Sequence, residues 1–181
     1  MDEKIRLKDK DFELFIPETK IVAAIRNLAG MIWRDAEGEN PLFVGILNGA
    51  CMFTAELMSY LPPDCELTFA AYSSYRGTRS EGAVQEVMPV RGDINDRLII
   101  LLEDIVDTGL TMQYVMRKLQ KSGAGRVWLA TMLFKPGSLK CDLKPDYIGM
   151  EIADDFVVGF GLDYDGLGRA SRNIYKLQNN C

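Results

Sequence analysis

The chain of 181 residues contains no histidine, and this absence excludes several kinds of active site. A Ser-His-Asp triad, a Cys-His pair and a His-ligated zinc centre all require imidazole groups. Any general base must therefore be a carboxylate, a lysine, a tyrosine or a cysteine. A bound metal ion would have to prefer oxygen ligands, which indicates magnesium, manganese or calcium.

Cysteines are few and widely spaced, at positions 51, 65, 141 and 181. Because no two of them form a CxxC pair, the sequence predicts neither a zinc ribbon nor a thioredoxin-like site. Scattered free thiols are typical of a reducing compartment, so we expect a cytoplasmic protein. The first residues are too charged for a signal peptide, and no apolar run approaches the roughly 18 residues of a membrane span.

Charge and composition narrow the expected partners. The net charge is −5, from 21 basic and 26 acidic residues. Because nucleic-acid-binding proteins usually carry a basic face, we expect no nucleic-acid partner. The lack of a long apolar run leads us to expect no membrane partner. With 48% hydrophobic residues the chain has enough apolar material for a core, and its length predicts one domain over residues 1–181.

Helix and strand patterns alternate along the chain. Apolar residues recur at helical spacing over 18–35 and 110–123, and another helix is predicted between Gly49 and the Pro62-Pro63 pair. The alternation predicts an α/β fold with a mostly parallel, twisted sheet flanked by helices, whose ligands bind at the carboxyl ends of the strands. Strands are predicted at 41–48, 65–74, 84–90, 97–103, 125–135, 145–152 and 156–162.

The segment LIILLEDIVDTGLT, residues 98–111, gives the strongest functional indication. Its apolar run predicts a buried strand, with Glu103 and Asp104 at the carboxyl end. The turn that follows is rich in Thr and Gly and opens a helix, so its free N–H groups suit a phosphate. Since carboxylates repel a bare phosphate, they must serve sugar hydroxyls, a divalent metal or base catalysis. A phosphorylated sugar with a metal-bound leaving group meets all three demands.

Other interpretations of these residues stay open. Asp107 and Thr108 could simply cap the helix. A metal-dependent phosphohydrolase could use Asp104 or Asp107 as its nucleophile, although the familiar DxD spacing is absent. Neither GxxxxGKS nor GxxxxGKT occurs, and the segment around Gly166 lacks the full dinucleotide fingerprint, so ordinary nucleotide motifs are not indicated.

Four segments together resemble the type I phosphoribosyltransferases, and among them the hypoxanthine and hypoxanthine-guanine branch. LIILLEDIVDTGLT is similar to the phosphoribosyl-pyrophosphate motif of that family, and GILNGACMF to its pyrophosphate loop. SSYRGTRSEG is similar to its mobile catalytic loop, and the stretch from Phe134 to Arg169 to its purine-binding hood. The resemblance spans roughly residues 10–178, and it implies the type I phosphoribosyltransferase fold, with a core over about 18–135 and a small hood from about 1–17 and 136–181.

The resemblance implies an enzyme of purine salvage. The 5-phosphoribosyl group of phosphoribosyl pyrophosphate would pass to hypoxanthine, with guanine as a further acceptor, giving IMP or GMP and pyrophosphate. Positive charge builds on the ribose as the bond to its anomeric carbon loosens, and enclosed carboxylates stabilise such charge. The implied cofactor is Mg²⁺, and the implied assembly is a homodimer or homotetramer.

Roles for the central motif also follow from the resemblance. Asp107 would be the general base on the purine imidazole ring, and no histidine competes for that role. Glu103 and Asp104 would bind the ribose hydroxyls, directly or through magnesium. The 5′-phosphate would lie on Asp107, Thr108, Gly109, Leu110 and Thr111.

The remaining motifs would bind pyrophosphate and purine. Leu47, Asn48, Gly49 and Arg169 would bind pyrophosphate, and the Leu47–Asn48 peptide bond, which can be cis in relatives, is left open by the sequence. Some relatives carry lysine in place of Asn48, so this chain lacks the positive charge that those relatives have at the position. The purine would meet Lys135 at its 6-oxo group, Phe156 by stacking, Val157 through the backbone, and Asp163, which would also hold magnesium.

Ser74 and Tyr75 match the tip of the closing loop, which would exclude water from the cation-like transition state. A regulatory protein that senses phosphoribosyl pyrophosphate on the same fold is the alternative function. Such a protein should carry an extra DNA-binding domain or a strongly basic face, and the sequence shows neither sign.

Overall fold

The computed structural model describes residues 3–74 and 84–178. Its helices are α1 (Glu18–Ala36), α2 (Cys51–Met58) and α3 (Leu110–Lys121), with a short 3-10 turn at Pro136–Ser138. Its strands are β1 (Lys4–Leu7), β2 (Lys10–Ile16), β3 (Leu42–Leu47), β4 (Glu66–Ser74), β5 (Val84–Met88), β6 (Leu98–Val106), β7 (Arg126–Phe134), β8 (Tyr147–Glu151), β9 (Val157–Val158) and β10 (Ile174–Leu177).

The larger sheet has six strands in the order β5-β4-β3-β6-β7-β8. Strands β4, β3, β6, β7 and β8 pair in parallel, whereas β5 joins the edge by antiparallel pairing with β4. Each parallel connection needs a crossover. Helix α2 lies between β3 and β4 and helix α3 between β6 and β7, whereas the connection from β7 to β8 contains the 3-10 turn. The predicted α/β fold with a mostly parallel sheet is therefore confirmed.

Strand β6 shows why the centre of this sheet is apolar on both faces. Leu98, Ile100 and Leu102 belong to the core cluster that α1 and α2 cover. The alternate residues Ile99 and Leu101 belong to the cluster that α3 covers. Because side chains of a strand alternate between faces, a strand with helices on both sides must be apolar throughout.

A second sheet of four strands is built from the two ends of the chain, in the order β1-β2-β10-β9. Its pairing is antiparallel throughout, and Ile16 of β2 lies opposite Ile174 of β10. Phe12, Val158 and Tyr175 form its small core. Apart from the strand at 156–162, the sequence predicted only a cap here, because strands of four to seven residues with alternating polar positions give a weak local pattern.

Several predicted boundaries differ from the structure. Strand β6 continues to Val106, beyond the predicted end at Glu103, so Glu103 and Asp104 lie within the strand and not at its carboxyl end. The predicted strand at 156–162 is reduced to two residues, since the backbone of Gly159, Phe160 and Gly161 has positive φ. The larger sheet also extends past residue 135 to β8, which the predicted boundary assigned to the hood. Within the described ranges, no helix is long and apolar enough to cross a membrane.

Candidate active site

Three neighbouring strands of the larger sheet end in register at the candidate site. Val106 of β6 pairs with Phe134 of β7, which pairs in turn with Glu151 of β8. The Lys135 N–H donates to the Val106 carbonyl at 3.0 Å and extends the pairing by one step. Asp107 and Lys135 therefore leave the sheet side by side, at the edge where parallel sheets bind their ligands.

The side chain of Lys135 is enclosed and paired with two carboxylates. Only 6% of the residue is exposed, and its Nζ lies 3.6 Å from Asp107 Oδ2 and 3.2 Å from Asp154 Oδ1. A buried ammonium group is tolerated when opposite charges compensate for the lost hydration. The side chain of Asp107 is half exposed, so a ligand arriving from solvent can reach its carboxylate.

Glu103 and Asp104 are enclosed within β6. Asp104 is 9% exposed, and its Oδ1 accepts a hydrogen bond from the Ile105 N–H at 2.9 Å. Burial raises the pKa of Asp104 to about 6, although backbone hydrogen bonds act in the opposite direction. Burial also raises the pKa of Glu103 well above its ordinary value, and the Asp104 charge adds to this effect. A cation beside these groups would favour their charged forms.

The two carboxylates suit a magnesium ion. Glu103 Oε2 is buried and lacks a hydrogen-bond partner among the described residues, so a bound cation would satisfy it. No cluster of three or more acidic or cysteine side chains able to hold a metal occurs in the parts of the chain that the structure describes. Mg²⁺ fits such a sparse set, because it usually keeps several waters and takes one or two carboxylates together with substrate phosphates.

The turn between β6 and α3 has the form of an anion site. Gly109 has a φ of 76°, and a Cβ there would come within 2.9 Å of Leu139 and 3.0 Å of Cys141. The Lys140 N–H donates to the Thr108 carbonyl at 3.0 Å and fixes the turn against the next loop. The first N–H groups of a helix have no partner within it, so they are free for a phosphate. A cavity of about 110 Å³ is lined by Glu103, Ile105, Val106, Asp107, Thr108, Gly109, Thr111 and Met112.

Gly49 lies at the contact between the end of β3, strand β6 and the loop after β9. A Cβ at Gly49 would overlap the Asp104 carboxylate, and a Cβ at Gly161 would overlap the Gly49 carbonyl oxygen. The peptide bond between Leu47 and Asn48 is cis. Backbone is therefore packed directly on backbone and on a carboxylate here, which only residues without a side chain allow.

Arg169 holds the loop after β9 in its position against Gly49. Its Nη1 donates to the Gly161 carbonyl at 2.6 Å, and its Nη2 pairs with Asp163 Oδ1 at 2.6 Å. The other oxygen of Asp163 accepts a hydrogen bond from the Gly166 N–H at 2.7 Å. The Arg169 charge lowers the pKa of Asp104 and the Asp163 charge raises it. The charges of Arg169, Asp163 and Asp104 are therefore close enough to interact.

Phe156 presents an exposed aromatic face on the small sheet. The residue is 45% exposed, and its ring centroid lies 6.3 Å from that of Phe12 and 6.0 Å from that of Tyr164. The Lys10 ammonium lies 5.7 Å from the Phe156 ring centroid. Val157, the next residue, is buried in β9. One side of the Phe156 ring is thus supported, while the exposed part can stack on a planar ligand.

Comparison with known proteins agrees with this geometry. The family model for the phosphoribosyl transferase domain matches residues 17–165. This chain belongs to the phosphoribosyltransferase family. It is 40% identical over 159 residues to a hypoxanthine-guanine phosphoribosyltransferase of Lactococcus lactis, which covers 87% of this chain and 86% of the relative. The family that the sequence motifs indicated is thereby confirmed.

Solved structures of phosphoribosyltransferases show the same fold. A hypoxanthine phosphoribosyltransferase from Staphylococcus aureus superposes with a TM-score of 0.86 at 32% identity, over 92% of this chain and 91% of that one. A hypoxanthine-guanine phosphoribosyltransferase from Bacillus anthracis, with a HEPES molecule in its active site, gives 0.86 at 30% identity, over 92% and 98%. The predicted fold class of a type I phosphoribosyltransferase is confirmed by these structures.

The structure brings several of the residues that the sequence assigned to a phosphoribosyltransferase site together in two groups. Asp107 and Lys135 meet at the ends of adjacent strands. Gly49, Asp104 and Arg169 meet around the loop after β9, together with Asp163. Leu110 begins α3 with its side chain exposed. Ser74 ends β4, whereas Tyr75 and the rest of the predicted catalytic loop through residue 83 lie outside the described residues.

Two residues that contact the candidate site residues were not singled out from the sequence. Asp154 pairs with Lys135, and Gly161 makes the close backbone approach to Gly49. The acidic pair before Phe156 and the glycines on both sides of Phe160 were the available signals. Neither feature of the sequence shows which residue Asp154 or Gly161 will contact, because each contact joins separate segments of the chain.

Proposed function

We propose that this chain transfers the 5-phosphoribosyl group of phosphoribosyl pyrophosphate to a 6-oxopurine in purine salvage. Hypoxanthine is the proposed acceptor and guanine a further one, so that the products are IMP or GMP and pyrophosphate. Membership of the phosphoribosyltransferase family supports the donor and the reaction type. The relatives named for hypoxanthine and guanine support the choice of acceptor.

The pairing of Lys135 with Asp107 carries the proposal for the acceptor. The N7 and O6 atoms of a 6-oxopurine lie on one edge of the ring system. An ammonium and a carboxylate 3.6 Å apart can face both atoms at once. Lys135 would donate to O6, whereas adenine offers an amino donor at that position and would meet another donor.

Asp107 would act as the general base. As N9 of the purine forms its bond to the anomeric carbon, the bond to pyrophosphate breaks and pyrophosphate leaves with the electron pair. The N7 proton passes to Asp107, so the purine does not retain a positive charge. The Asp107 carboxylate is half exposed and lies beside the Lys135 ammonium, so an incoming base can reach it.

Glu103 and Asp104 would stabilise the ribose as it gains positive charge. Both are enclosed, and charge–charge interactions are stronger away from water. Asp163 would hold Mg²⁺ on the pyrophosphate side, and the bound ion would offset the negative charge of the leaving pyrophosphate. The ribose hydroxyls would be bound by the same two carboxylates, directly or through the metal.

The two backbone turns would bind the phosphates. The turn at Thr108, Gly109, Leu110 and Thr111 would take the 5′-phosphate through N–H groups and hydroxyls, with Asp107 at its border. The turn at Leu47–Gly49 would take pyrophosphate through its backbone, and Arg169 would contribute its guanidinium group. Asn48 is exposed in that turn, and its amide group would supply only a neutral donor there.

Phe156 and Val157 would complete the purine site. The exposed part of the Phe156 ring would stack on the base, and the backbone of Val157 would bind its edge. We assign the four-stranded sheet of β1, β2, β10 and β9 to the hood that carries these residues. A homodimer or homotetramer in the cytoplasm is the proposed assembly, and light scattering of the purified chain would test it.

The proposal is tested by offering hypoxanthine, guanine, xanthine and adenine in turn, at fixed Mg²⁺ and phosphoribosyl pyrophosphate. We expect a spectrophotometric signal of nucleotide formation with hypoxanthine and none with adenine, and the guanine rate sets the specificity. If no base reacts while phosphoribosyl pyrophosphate still binds, the regulatory function becomes the better explanation. Omission of Mg²⁺ should abolish the signal, which separates the enzymatic reaction from simple binding.

A further inference from the structure

Lys135 has a carboxylate partner, Asp154, that the proposed reaction does not use. Asp154 lies three residues beyond the end of β8, and Lys135 one residue beyond the end of β7. The Ile152 N–H donates to the Phe134 carbonyl at 2.9 Å, which holds the two segments together past the end of the sheet. The Asp154 Oδ1 then accepts a hydrogen bond from the Lys135 ammonium at 3.2 Å.

We propose that Asp154 is a positioning residue for purine recognition, which holds the Lys135 ammonium in place for the 6-oxo group of the base. The inference rests on the proposed function and deepens it. Asp107 and Asp154 have separate tasks in this arrangement. Asp107 accepts the proton of the ring nitrogen, whereas Asp154 only holds the side chain of Lys135 in position.

The donor geometry of lysine supports this division. An ammonium group has three donors, and its four-carbon stem is flexible. One donor is hydrogen-bonded to Asp154, and the ammonium forms an ion pair with Asp107 at 3.6 Å, so a donor remains for an incoming oxygen. Because Lys135 is nearly buried and doubly paired before the base binds, little conformational freedom remains to be lost on binding.

The charge balance during the reaction gives a second reason. When Asp107 accepts the N7 proton it becomes neutral, and its attraction for Lys135 weakens. Lys135 is then a buried cation whose remaining carboxylate partner is Asp154. The Asp154 side chain is 75% exposed, and hydrogen bonding to Lys135 lowers the pKa of its carboxyl, so Asp154 stays ionised throughout.

The test compares Asp154→Asn with Asp155→Asn, which removes the same charge at the adjacent position and leaves the Lys135–Asp154 pair intact. Titration calorimetry would measure the affinity of each variant for IMP and for ribose 5-phosphate, which lacks the base. We expect Asp154→Asn to bind IMP about fivefold more weakly, the upper range for an ion pair with one exposed partner. Its ribose 5-phosphate affinity, and both affinities of Asp155→Asn, should match the wild type.

Kinetics of the same variants would add an independent measurement. The KM for hypoxanthine should rise in Asp154→Asn, while the KM for phosphoribosyl pyrophosphate stays at the wild-type value. Asp154→Glu should recover most of the loss, since a carboxylate at this exposed position can still reach the ammonium. A general loss of structure would instead weaken both ligands and lower the Tm.

The inference is overturned if Asp154→Asn and Asp155→Asn bind IMP equally well, or if Asp154→Asn loses affinity equally for ribose 5-phosphate. Failure of the proposed function looks different. In that case the wild-type chain would form no IMP from hypoxanthine at all, whatever residue stands at position 154. The two failures are therefore distinguished by the wild-type assay.

Discussion

The carboxylate of Asp104 lies against the α-carbon of Gly49, in the space that a side chain at Gly49 would occupy. One residue belongs to the turn proposed for pyrophosphate and the other to the pair proposed for ribose and Mg²⁺. Since Asp104 is enclosed, it has little room to move away. The turn proposed for pyrophosphate therefore cannot change its shape at Gly49 without moving the Asp104 carboxylate.

A methyl group at Gly49 should displace Asp104 and impair the reaction. We expect Gly49→Ala to lower kcat/KM for phosphoribosyl pyrophosphate by about 10²-fold, the effect of a misplacement near 1 Å. Overpacking should also cost about 1–3 kcal/mol of unfolding free energy. Gly30→Ala is the matched control, because nothing lies within 4 Å of the added methyl group. Equal activity of the two variants would contradict a steric link between Gly49 and Asp104.

Asp107→Asn tests the general base. The amide keeps the shape of the side chain but cannot accept the N7 proton, so turnover should fall about 10²–10⁴-fold while the substrates still bind. Steady-state kinetics with hypoxanthine, together with the affinity for IMP, would measure the two effects separately. Unchanged kcat would show that another group accepts the proton.

The buried Asp104 predicts a pH-dependent stability. Folding raises its pKa from 3.8 to about 6, so the folded chain binds a proton more tightly than the unfolded chain between these values. Stability from this group should therefore fall as the pH rises from about 4 to about 6, and stay lower above that range. Asp104→Asn removes the buried charge and should be more stable than the wild type at neutral pH, by about 2–3 kcal/mol.

Denaturant unfolding in metal-free buffer would measure this difference at pH 7.5 and at pH 4. The gain of Asp104→Asn should vanish at the lower pH, where the wild-type carboxyl is already neutral. Added Mg²⁺ should stabilise the wild type more than the variant, because the variant lacks a proposed ligand. A variant that is no more stable than the wild type at pH 7.5 would mean that the carboxylate is adequately compensated without metal.

Phe156→Ala should weaken binding of the base and leave the sugar phosphate unaffected. Removal of a stacking ring costs about 1–3 kcal/mol per base, so IMP affinity should fall about 5- to 150-fold. Affinity for ribose 5-phosphate should not change. Leu167→Ala is the control, since Leu167 is 44% exposed and Phe156 45%. An equal effect of the two substitutions on IMP would argue against stacking.

The central part of the fold could be predicted from local pattern. Residues Leu98–Leu102 are apolar at every position, which is required of a strand covered on both faces. Helix α1 follows from the spacing of Ile21, Ile25, Leu28 and Ile32, all of which are buried. Because these signals are contained in a short stretch of chain, no knowledge of distant residues is needed to interpret them.

The small sheet could not be predicted in this way. Its strand β2 pairs with β10, which joins Ile16 to Ile174 across most of the chain. Neither segment has an apolar run that requires a strand, and each is stable as a strand only because the other is present. Strand β9 lies within the predicted strand at 156–162, but its pairing with β10 could not be predicted from local pattern.

The reactive groups of this protein can be recognised from its amino-acid sequence: carboxylates in place of histidine, a Thr- and Gly-rich turn after a buried strand, and a lysine after the next strand. Which of these groups contact one another becomes known only from the folded chain. Lys135 forms an ion pair with Asp154, and Gly49 packs closely against both Asp104 and Gly161. The physical reason is that the register of parallel strands and close backbone packing depend on long-range pairing, which no local stretch of sequence encodes.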